Sequence, residues 1–286
     1  MGATLRQACV AVLKKHDSRL ARVNGASERE LGRGVLHQDL AAGRFQLSRH
    51  RPSAALRPFV DFHWIVRWDL SGQQPYEQKI LPHPNVNLAF EESGSAVFGV
   101  DRKLFVRRIG GRGKALGVRF SPGGFRPFWN APVSRLTDRT IPAAEVFGAA
   151  VEAAQAAIME ASSDAAMVAR AEEFLTRELP TRDPVAESVA DMVSLINGDP
   201  SLTRVDQLAA MSGLSVRRLQ RLFAEYVGVG PKWVMRRARL HEAAQRADRG
   251  DVADWAAMAA DLGYADQAHL TREFSALIGV PPTRYG

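Results

Sequence analysis

The chain has 286 residues, 46% of them hydrophobic, and a formal net charge of +7 at neutral pH. This size allows two globular domains with separate cores. No stretch approaches about 18 uncharged apolar residues, so no membrane span is predicted, and no signal-peptide pattern follows the short apolar run Gln7–Leu13. Cys9 is the only cysteine, which excludes an intramolecular disulfide and a cysteine-cluster zinc site. We therefore expect a cytoplasmic protein without a metal or another cofactor.

The N-terminal segment, residues 1–50, is polar and rich in arginine and shows no sustained periodicity. Residues 1–51 carry 10 basic and 4 acidic side chains, whereas residues 52–184 carry 16 and 15. We interpret residues 1–50 as a mobile basic tail.

Residues 51–120 have the pattern of β-strands. The run from Val60 to Trp68 alternates large apolar with polar side chains, the period of a half-buried strand. Shorter runs separated by Gly, Pro, Asn and Ser are Gln78–Leu81, Val86–Phe90, Ala96–Val100, Leu104–Arg107 and Leu116–Phe120. These runs predict a small antiparallel barrel or sandwich.

Aromatic residues of this strand-rich part have two interpretations. They line a cavity that accepts a small effector, or they form an ordinary core. The candidate effector pocket comprises Trp64, Trp68, Phe90, Phe98 and Phe120. His63 and His83 are candidate metal ligands, but no third ligand stands at a recognisable spacing, so we predict no metal.

Helical patterns begin after Pro142. Ala143–Ala161 and Ala165–Leu179 are rich in Ala, Glu and Leu, and the N-capping types Ser162, Ser163 and Asp164 separate them. These helices either mediate a homodimer or close the barrel. Residues 180–184 form the predicted linker, and all that follows is typical of helices.

A repeat is the most informative feature of the C-terminal part. Residues 208–231 and 258–282 share the order of a short apolar helix, a glycine turn and an amphipathic helix. Gly213 corresponds to Gly263 fifty positions later. This order predicts two helix-turn-helix units, at about 203–227 and 252–278. Residues 201–249 carry 10 basic and 4 acidic side chains, the local charge that nucleic-acid binding requires.

The first unit has the more basic second helix. We expect Thr203 and Ser215 to cap its two helices. On the second helix an apolar stripe leaves Arg217, Gln220 and Arg221 together on the opposite face, a trio that suits guanine and adenine edges in a major groove. Arg218 projects sideways, where a phosphate contact is expected.

The second unit and the connecting segment complete the predicted interface. Its outward positions are Gln267, Thr271 and Arg272, but Asp254, Asp261, Asp266 and Glu273 oppose phosphates if they face DNA. We therefore expect the second unit to contribute less affinity. Residues 231–247 predict one stiff helix that fixes the separation of the units. Its predicted phosphate contacts are Lys232, Arg236 and Arg237.

Residues from about 187 to 285, including the closing Gly279–Tyr285 (GVPPTRY), resemble the DNA-binding domain of the AraC/XylS transcription regulators. The resemblance implies that two recognition helices enter adjacent major grooves of promoter DNA, near RNA polymerase. Carried over by position, it implies base contacts by Arg217, Gln220, Arg221, Gln267, Thr271 and Arg272. Arg119-Phe120 with Pro122-Gly123-Gly124 resembles a strand-rich domain of unknown function that precedes this DNA-binding domain in some regulators.

The sequence thus predicts an α+β protein of two domains. A strand-rich regulatory domain with trailing helices occupies residues 51–182, and the DNA-binding domain occupies residues 185–286. We expect a sequence-specific transcription regulator rather than an enzyme. The alternatives are a DNA-modifying enzyme, which needs cysteines that this chain lacks, and a metal-dependent enzyme on a cupin-like barrel, which needs a ligand set that is missing.

Overall fold

A computed structural model describes residues 43–199, 201–252 and 254–285. The strands are β1 (Gln46–His50), β2 (Val60–Leu70), β3 (Tyr76–Ile80), β4 (Asn87–Glu91), β5 (Gly94–Phe98), β6 (Phe105–Ile109), β7 (Gly111–Phe120) and β8 (Thr140–Pro142). The helices are α1 (Ala144–Phe147), α2 (Ala150–Glu160), α3 (Asp164–Arg177), α4 (Pro184–Gly198), α5 (Val205–Met211), α6 (Val216–Tyr226), α7 (Pro231–Asp248), α8 (Trp255–Asp261) and α9 (Gln267–Ile278). The predicted α+β class, with strands before helices, is confirmed.

The strands form two antiparallel sheets. One has six strands in the order β1-β2-β7-β4-β5-β8, and the other pairs β3 with β6. The first strand corrects the predicted tail, because Gln46–His50 pairs with β2 and places Arg49 opposite Trp64. The remainder of that tail, with Cys9, lies outside the described residues.

Both faces of the six-stranded sheet are covered. Strand alternation sends His63 and Ile65 of β2 toward α2 and α3, where they are buried, and sends Trp64 toward the β3–β6 pair. The core on the helical side contains Leu88, Phe90, Leu116, Phe120, Val151, Ile158 and Phe174. The helices after Pro142 therefore cover one face of the sheet, and their expected role in a homodimer stays a prediction.

The predicted helix Ala143–Ala161 is divided in the structure. Gly148 ends α1 with φ +67°, a left-handed conformation that disfavours other residues. The chain turns there, and α2 packs its Val151 and Ile158 into the sheet core. Helix propensity across the whole segment hid this turn, because alanine and glutamate favour helix on both sides of it.

The C-terminal half is helical throughout its described residues. Ser215 caps α6 as predicted, since its hydroxyl accepts from the Arg218 amide at 3.3 Å. The predicted Thr203 cap of α5 is wrong: Arg204 is the N-cap residue, and Gln207 Oε1 accepts from the Arg204 amide at 2.9 Å. None of the described helices is long and apolar enough to cross a bilayer.

The two halves pack against each other through apolar and polar contacts. Val100 joins the core of the first helix-turn-helix unit, and Leu81 joins the core of the second. The Thr137 hydroxyl donates to the Gly228 carbonyl at 2.7 Å. The regulatory half thus contacts both units of the C-terminal half. The predicted boundaries at residues 182 and 185 stay a prediction.

His63 is a buried imidazole whose protonation the fold opposes. It has no exposed surface, and its Nε2 lies 3.0 Å from Glu172 Oε1. Burial lowers the pKa of His63 from 6.5, outweighing the raising effect of Glu172. Its Nδ1 has no hydrogen-bond partner among residues the structure describes, so a proton there is buried without an acceptor.

The free energy of unfolding is therefore expected to fall as pH drops below 6.5, the ordinary pKa of this side chain. The unfolded chain takes up a proton at His63 in that range and the folded chain does not, which gives a slope of up to about 1.4 kcal/mol per pH unit. Urea unfolding between pH 5 and 8 measures the slope. His63→Gln should remove this part of it, and identical slopes in the two proteins contradict the assignment.

Candidate nucleic-acid interface and ligand cavity

The recognition helix of the first unit, α6, is strongly amphipathic. Leu219 and Phe223 are fully buried in the core of the unit. Arg217, Gln220 and Arg221 are exposed together on the other side, at the i, i+3 and i+4 positions. These side chains form no ion pair or hydrogen bond with another described residue, so this face presents two guanidinium groups and one amide to solvent.

Two further cations lie on α6 itself and at the start of the next helix. Arg218 is half-buried, and its Nε has no partner within the described part of the chain. Lys232 is exposed in the first turn of α7 and pairs with no described acid. Both retain positive charge for a polyanion, as a phosphate-contacting role requires.

The second recognition helix, α9, presents a weaker face. Gln267 and Arg272 are exposed, and Thr271 is half-buried. Asp266 caps the helix by accepting from the His269 amide at 2.6 Å. Cationic donors are fewer here, because α9 contains one arginine, Arg272, whereas α6 contains three.

Arginines of the linker helix α7 bind the second unit. Arg236 Nε lies 2.9 Å from Glu273 Oε1, and Arg246 Nη1 lies 3.3 Å from Asp261 Oδ2. Arg239 donates to the Gly263 carbonyl at 3.0 Å. Two of the acidic residues predicted to oppose phosphates, Glu273 and Asp261, therefore form ion pairs with arginines of the same chain. A phosphate contact by Arg236 would have to compete with its ion pair to Glu273.

The predicted phosphate contact of Arg237 conflicts with its position. Only 4% of this residue is exposed, and its Nη2 donates to the Arg102 carbonyl of the regulatory half at 2.9 Å. Its guanidinium lies 4.7 Å from the Trp233 ring centroid. Burial, with a smaller effect of Arg236, lowers the pKa of Arg237 to about 10. This role could not be predicted from the sequence pattern, because the partner is a carbonyl 135 positions away.

The linker helix is continuous over 18 residues, which corresponds to about 27 Å at ~1.5 Å per residue. Val234 and Met235 pack in the core of the first unit, whereas Leu240 and Ala244 pack in the core of the second. One helix thus contributes to both cores, so the two units cannot separate without breaking apolar contacts.

A cavity of about 240 Å³ lies between the six-stranded sheet and the β3–β6 pair. Of the five proposed pocket residues, Trp64, Trp68 and Phe98 line it. The prediction for Phe90 and Phe120 is wrong, because both side chains are fully buried in the core on the helical side. Strand alternation explains the division, because successive residues of a strand point to opposite faces of the sheet. The sequence pattern does not indicate which of the two faces borders the cavity.

The cavity wall also contains side chains that the sequence analysis missed. Phe62 lies between two guanidinium groups, with Arg49 and Arg119 each 5.1 Å from its ring centroid. Arg119 Nη2 donates to Asn85 Oδ1 at 2.7 Å, and its Nε lies 3.6 Å from Asp61 Oδ2. Phe45 and Leu47 alternate with the polar Gln46 and Ser48, a short sequence signal for the first strand and for the face that carries Arg49.

Cavity and linker helix share the segment Leu81–His83. All three residues line the cavity. On its other side His241 of α7 donates from Nε2 to the Pro82 carbonyl at 3.0 Å, and its ring stacks on that of His83 at 4.0 Å. The segment therefore contacts both the cavity and the helix that contributes to the cores of both helix-turn-helix units.

The histidines proposed as metal ligands have other partners. His63 contacts Glu172 under α3, and His83 stacks on His241. Over the described residues, no group of three or more His, Cys, Asp or Glu side chains could hold a metal ion.

Ser48, His50 and Asp164 meet beside α3, but their order differs from that of a catalytic triad. The Ser48 hydroxyl donates to Asp164 Oδ2 at 2.6 Å, and it also lies 3.2 Å from His50 Nε2. In a triad the carboxylate binds the imidazole nitrogen remote from serine. Here the carboxylate takes the serine proton itself and also pairs with Arg67 at 2.7 Å, so the geometry gives no activated nucleophile.

Two family models match the chain. Residues 48–142 match a domain of unknown function (DUF6597), and residues 208–286 match a helix-turn-helix domain. The predicted character of the C-terminal half is therefore confirmed. No curated protein matches the sequence.

Crystal structures of ToxT from Vibrio cholerae are similar at low identity. An apo point variant from strain SCE256 has a TM-score of 0.40 and 9% identity, over 85% of this chain and 96% of that one. ToxT from strain O395 has a TM-score of 0.39 and 12% identity, over 85% and 97%. Unsaturated fatty acid-bound wild-type ToxT from strain SCE256 has a TM-score of 0.35 and 9% identity, over 85% and 91%.

Proposed function

We propose, from the AraC-type helix-turn-helix domain that this chain carries at its C-terminal end, that the protein is a sequence-specific transcription regulator. The observation that carries the proposal is the exposed trio of α6, whose donors have no partner among the described residues and lie on a helix that such domains place in the major groove. Arg217 and Arg221 suit guanine edges, and Gln220 suits adenine. The corresponding candidates of α9 are Gln267, Thr271 and Arg272.

Contacts to the DNA backbone come from the cations that flank the trio. Arg218 and Lys232 are the strongest candidates, because neither pairs with a described acid. Arg236 joins them only if it releases Glu273. These contacts position the helices without reading sequence.

Control by the N-terminal half is the second part of the proposal. A small effector in the cavity contacts and displaces the segment Leu81–His83. This segment contacts α7 through the hydrogen bond between the Pro82 carbonyl and His241. Since α7 joins both cores, the shift changes how the two recognition helices are presented. An effector controls DNA binding in this way only if its affinity for the two presentations differs.

We further propose that the protein acts in the cytoplasm, on promoter DNA close to RNA polymerase, and that it forms a homodimer when the promoter carries two sites. Sedimentation of the protein with and without its operator tests the homodimer.

Selection of bound fragments from a random DNA library, with the full chain as bait, tests the proposal of sequence-specific binding. The expected result is a motif in two parts separated by about 10 base pairs, one part for each recognition helix. A library that shows no enrichment over several rounds contradicts the proposal.

Salt dependence tests the phosphate contact of Lys232. The logarithm of the DNA-binding constant should fall linearly with the logarithm of salt concentration, and Lys232→Ala should reduce the slope by about 0.9. Because phosphate contacts carry no sequence information, the variant should lose affinity equally for operator and random DNA. Fluorescence anisotropy between about 50 and 300 mM salt, a roughly sixfold range that includes physiological salt, measures both quantities. A loss confined to the operator contradicts a phosphate contact.

A further inference from the structure

The cavity of the regulatory half contains a positive charge that no described residue neutralises. Arg49 lines the cavity from β1 and forms no ion pair within the described ranges. Its Nε is buried and has no hydrogen-bond partner there. A partly buried guanidinium without a counterion is unfavourable, and a bound anion offsets that cost.

The other two arginines of the cavity wall are compensated. Arg119 is held by Asn85 and Asp61, and Arg107 forms an ion pair with Glu91. Arg49 therefore differs from the other two arginines of the wall. Burial, followed by repulsion from Arg119, lowers the pKa of Arg49 to about 10, so the side chain remains charged at neutral pH.

Flat aromatic rings form much of the remaining wall. A Cβ at Gly117 would lie 1.9 Å from the Trp64 ring, and one at Gly113 would lie 2.5 Å from the Trp68 ring. Glycine at both positions of β7 thus lets the two indoles lie directly over the strand. Phe62, beside Arg49, adds a third ring. Such walls favour a planar apolar molecule that stacks against them.

The size and the acids of the cavity narrow the ligand further. A volume of about 240 Å³ lies just below the ~300–1,000 Å³ of pockets for drug-sized ligands, which favours a ligand of one or two rings. Asp101 also lines the wall. Asp101 follows β5. In the sheet, the strands β2, β7 and β4 lie between β5 and β1, the strand that carries Arg49. A second anionic group on the ligand therefore meets repulsion from Asp101.

From these observations we infer that the cavity binds a small planar monocarboxylate, with its carboxylate on the Arg49 guanidinium and its rings against the tryptophans. A carboxylate matches the planar fork of arginine in a bidentate arrangement. This inference deepens the proposed control through the cavity and rests on it for its biological meaning, but the binding itself is testable without DNA.

The test compares 2-naphthoate with its neutral isostere 2-naphthamide on the full chain, by titration calorimetry and by quenching of tryptophan fluorescence. Wild-type protein should bind the acid at least tenfold more tightly than the amide. Naphthalene-2,6-dicarboxylate should bind at least tenfold more weakly than 2-naphthoate. Equal affinity for acid and amide, or no binding of the acid at millimolar concentration, overturns the inference without the need for any variant.

Variants assign the charge to Arg49. Arg49→Gln should weaken binding of 2-naphthoate at least tenfold and leave 2-naphthamide within twofold. Arg51→Gln, an exposed arginine two positions along the chain that does not line the cavity, is the matched control and should bind both as wild type does. If Arg49→Gln does not fold, Arg49→Lys keeps the charge without the fork and should retain the preference for acid over amide. Unchanged acid binding by a folded Arg49→Gln protein contradicts the assignment.

A separate measurement distinguishes failure of this inference from failure of the proposed function. Binding of 2-naphthoate without any effect on operator affinity leaves the ligand class standing and contradicts control through the cavity. Operator binding by a protein that binds no acid leaves the regulator standing and overturns the ligand class.

Discussion

Arg221→Ala should weaken operator binding by about 1–3 kcal/mol, or about 5- to 150-fold in Kd, the cost of losing one bidentate base contact. Arg221 is exposed on the free face of α6 and pairs with no described acid, so its removal leaves the protein fold intact. The loss should be specific to operator DNA, because random DNA offers no matched base. Anisotropy titrations of operator and random duplexes at one salt concentration measure the difference.

Arg272→Ala, the corresponding change on α9, should cost less. The cations of α7 beside this helix are engaged inside the protein, as the Arg236–Glu273 and Arg246–Asp261 pairs illustrate. We therefore expect the second unit to attract DNA less strongly than the first. Arg177→Ala controls for the loss of one positive charge, since Arg177 is exposed on α3 and pairs with Glu173. Equal losses at Arg221 and Arg272 rule out an unequal partnership.

The helix-turn-helix units could be predicted from the sequence because their determinants are local. The buried stripe of α6, its Ser215 cap and the exposed trio all lie within 11 residues and one cap. The glycine turns are equally local, since Gly213 and Gly263 have φ of +64° and +69°. Features set by neighbours within one turn or one helix can be derived without knowledge of tertiary contacts.

The roles of Arg236 and Arg237 could not be derived in the same way. Both belong to a basic run typical of a phosphate-contacting helix. Their partners are Glu273, on another helix, and the Arg102 carbonyl, in another half of the chain. Neither separation has a sequence period, so the tertiary structure alone decides which arginines of α7 remain available to DNA.

For a related reason, only some of the residues that line the cavity could be predicted from the sequence. Alternation in β2 correctly places Trp64 and Trp68 on one face, but both faces of the sheet are covered, one by helices and one by β3 and β6. Alternation within a strand says which residues share a face and not what covers that face. Phe90 and Phe120 were therefore assigned to the wrong side, and Arg49, on an unrecognised strand, was missed.

Leu81→Ala should lower the free energy of unfolding by about 2–5 kcal/mol, as loss of a fully buried leucine usually does, and should loosen the linker helix in particular. Leu81 has no exposed surface and packs with Leu240 in the core of the second unit. Its removal opens a gap between the cavity wall and α7. Amide hydrogen exchange of residues 234–247 should accelerate by at least tenfold, which corresponds to about 1.4 kcal/mol of local stability.

Leu88→Ala is the matched control, because Leu88 is equally buried but belongs to the sheet core of the regulatory half. It should lower stability by a similar amount and accelerate exchange in β4 and β7 more than in α7. This difference separates a general loss of stability from a loss of the contact between the halves. If the two variants accelerate exchange in α7 equally, Leu81 has no special role at that contact. That outcome contradicts the proposed control of DNA binding through residues 81–83, because the cavity wall that a ligand contacts would then not determine the local stability of α7, the helix that joins both units.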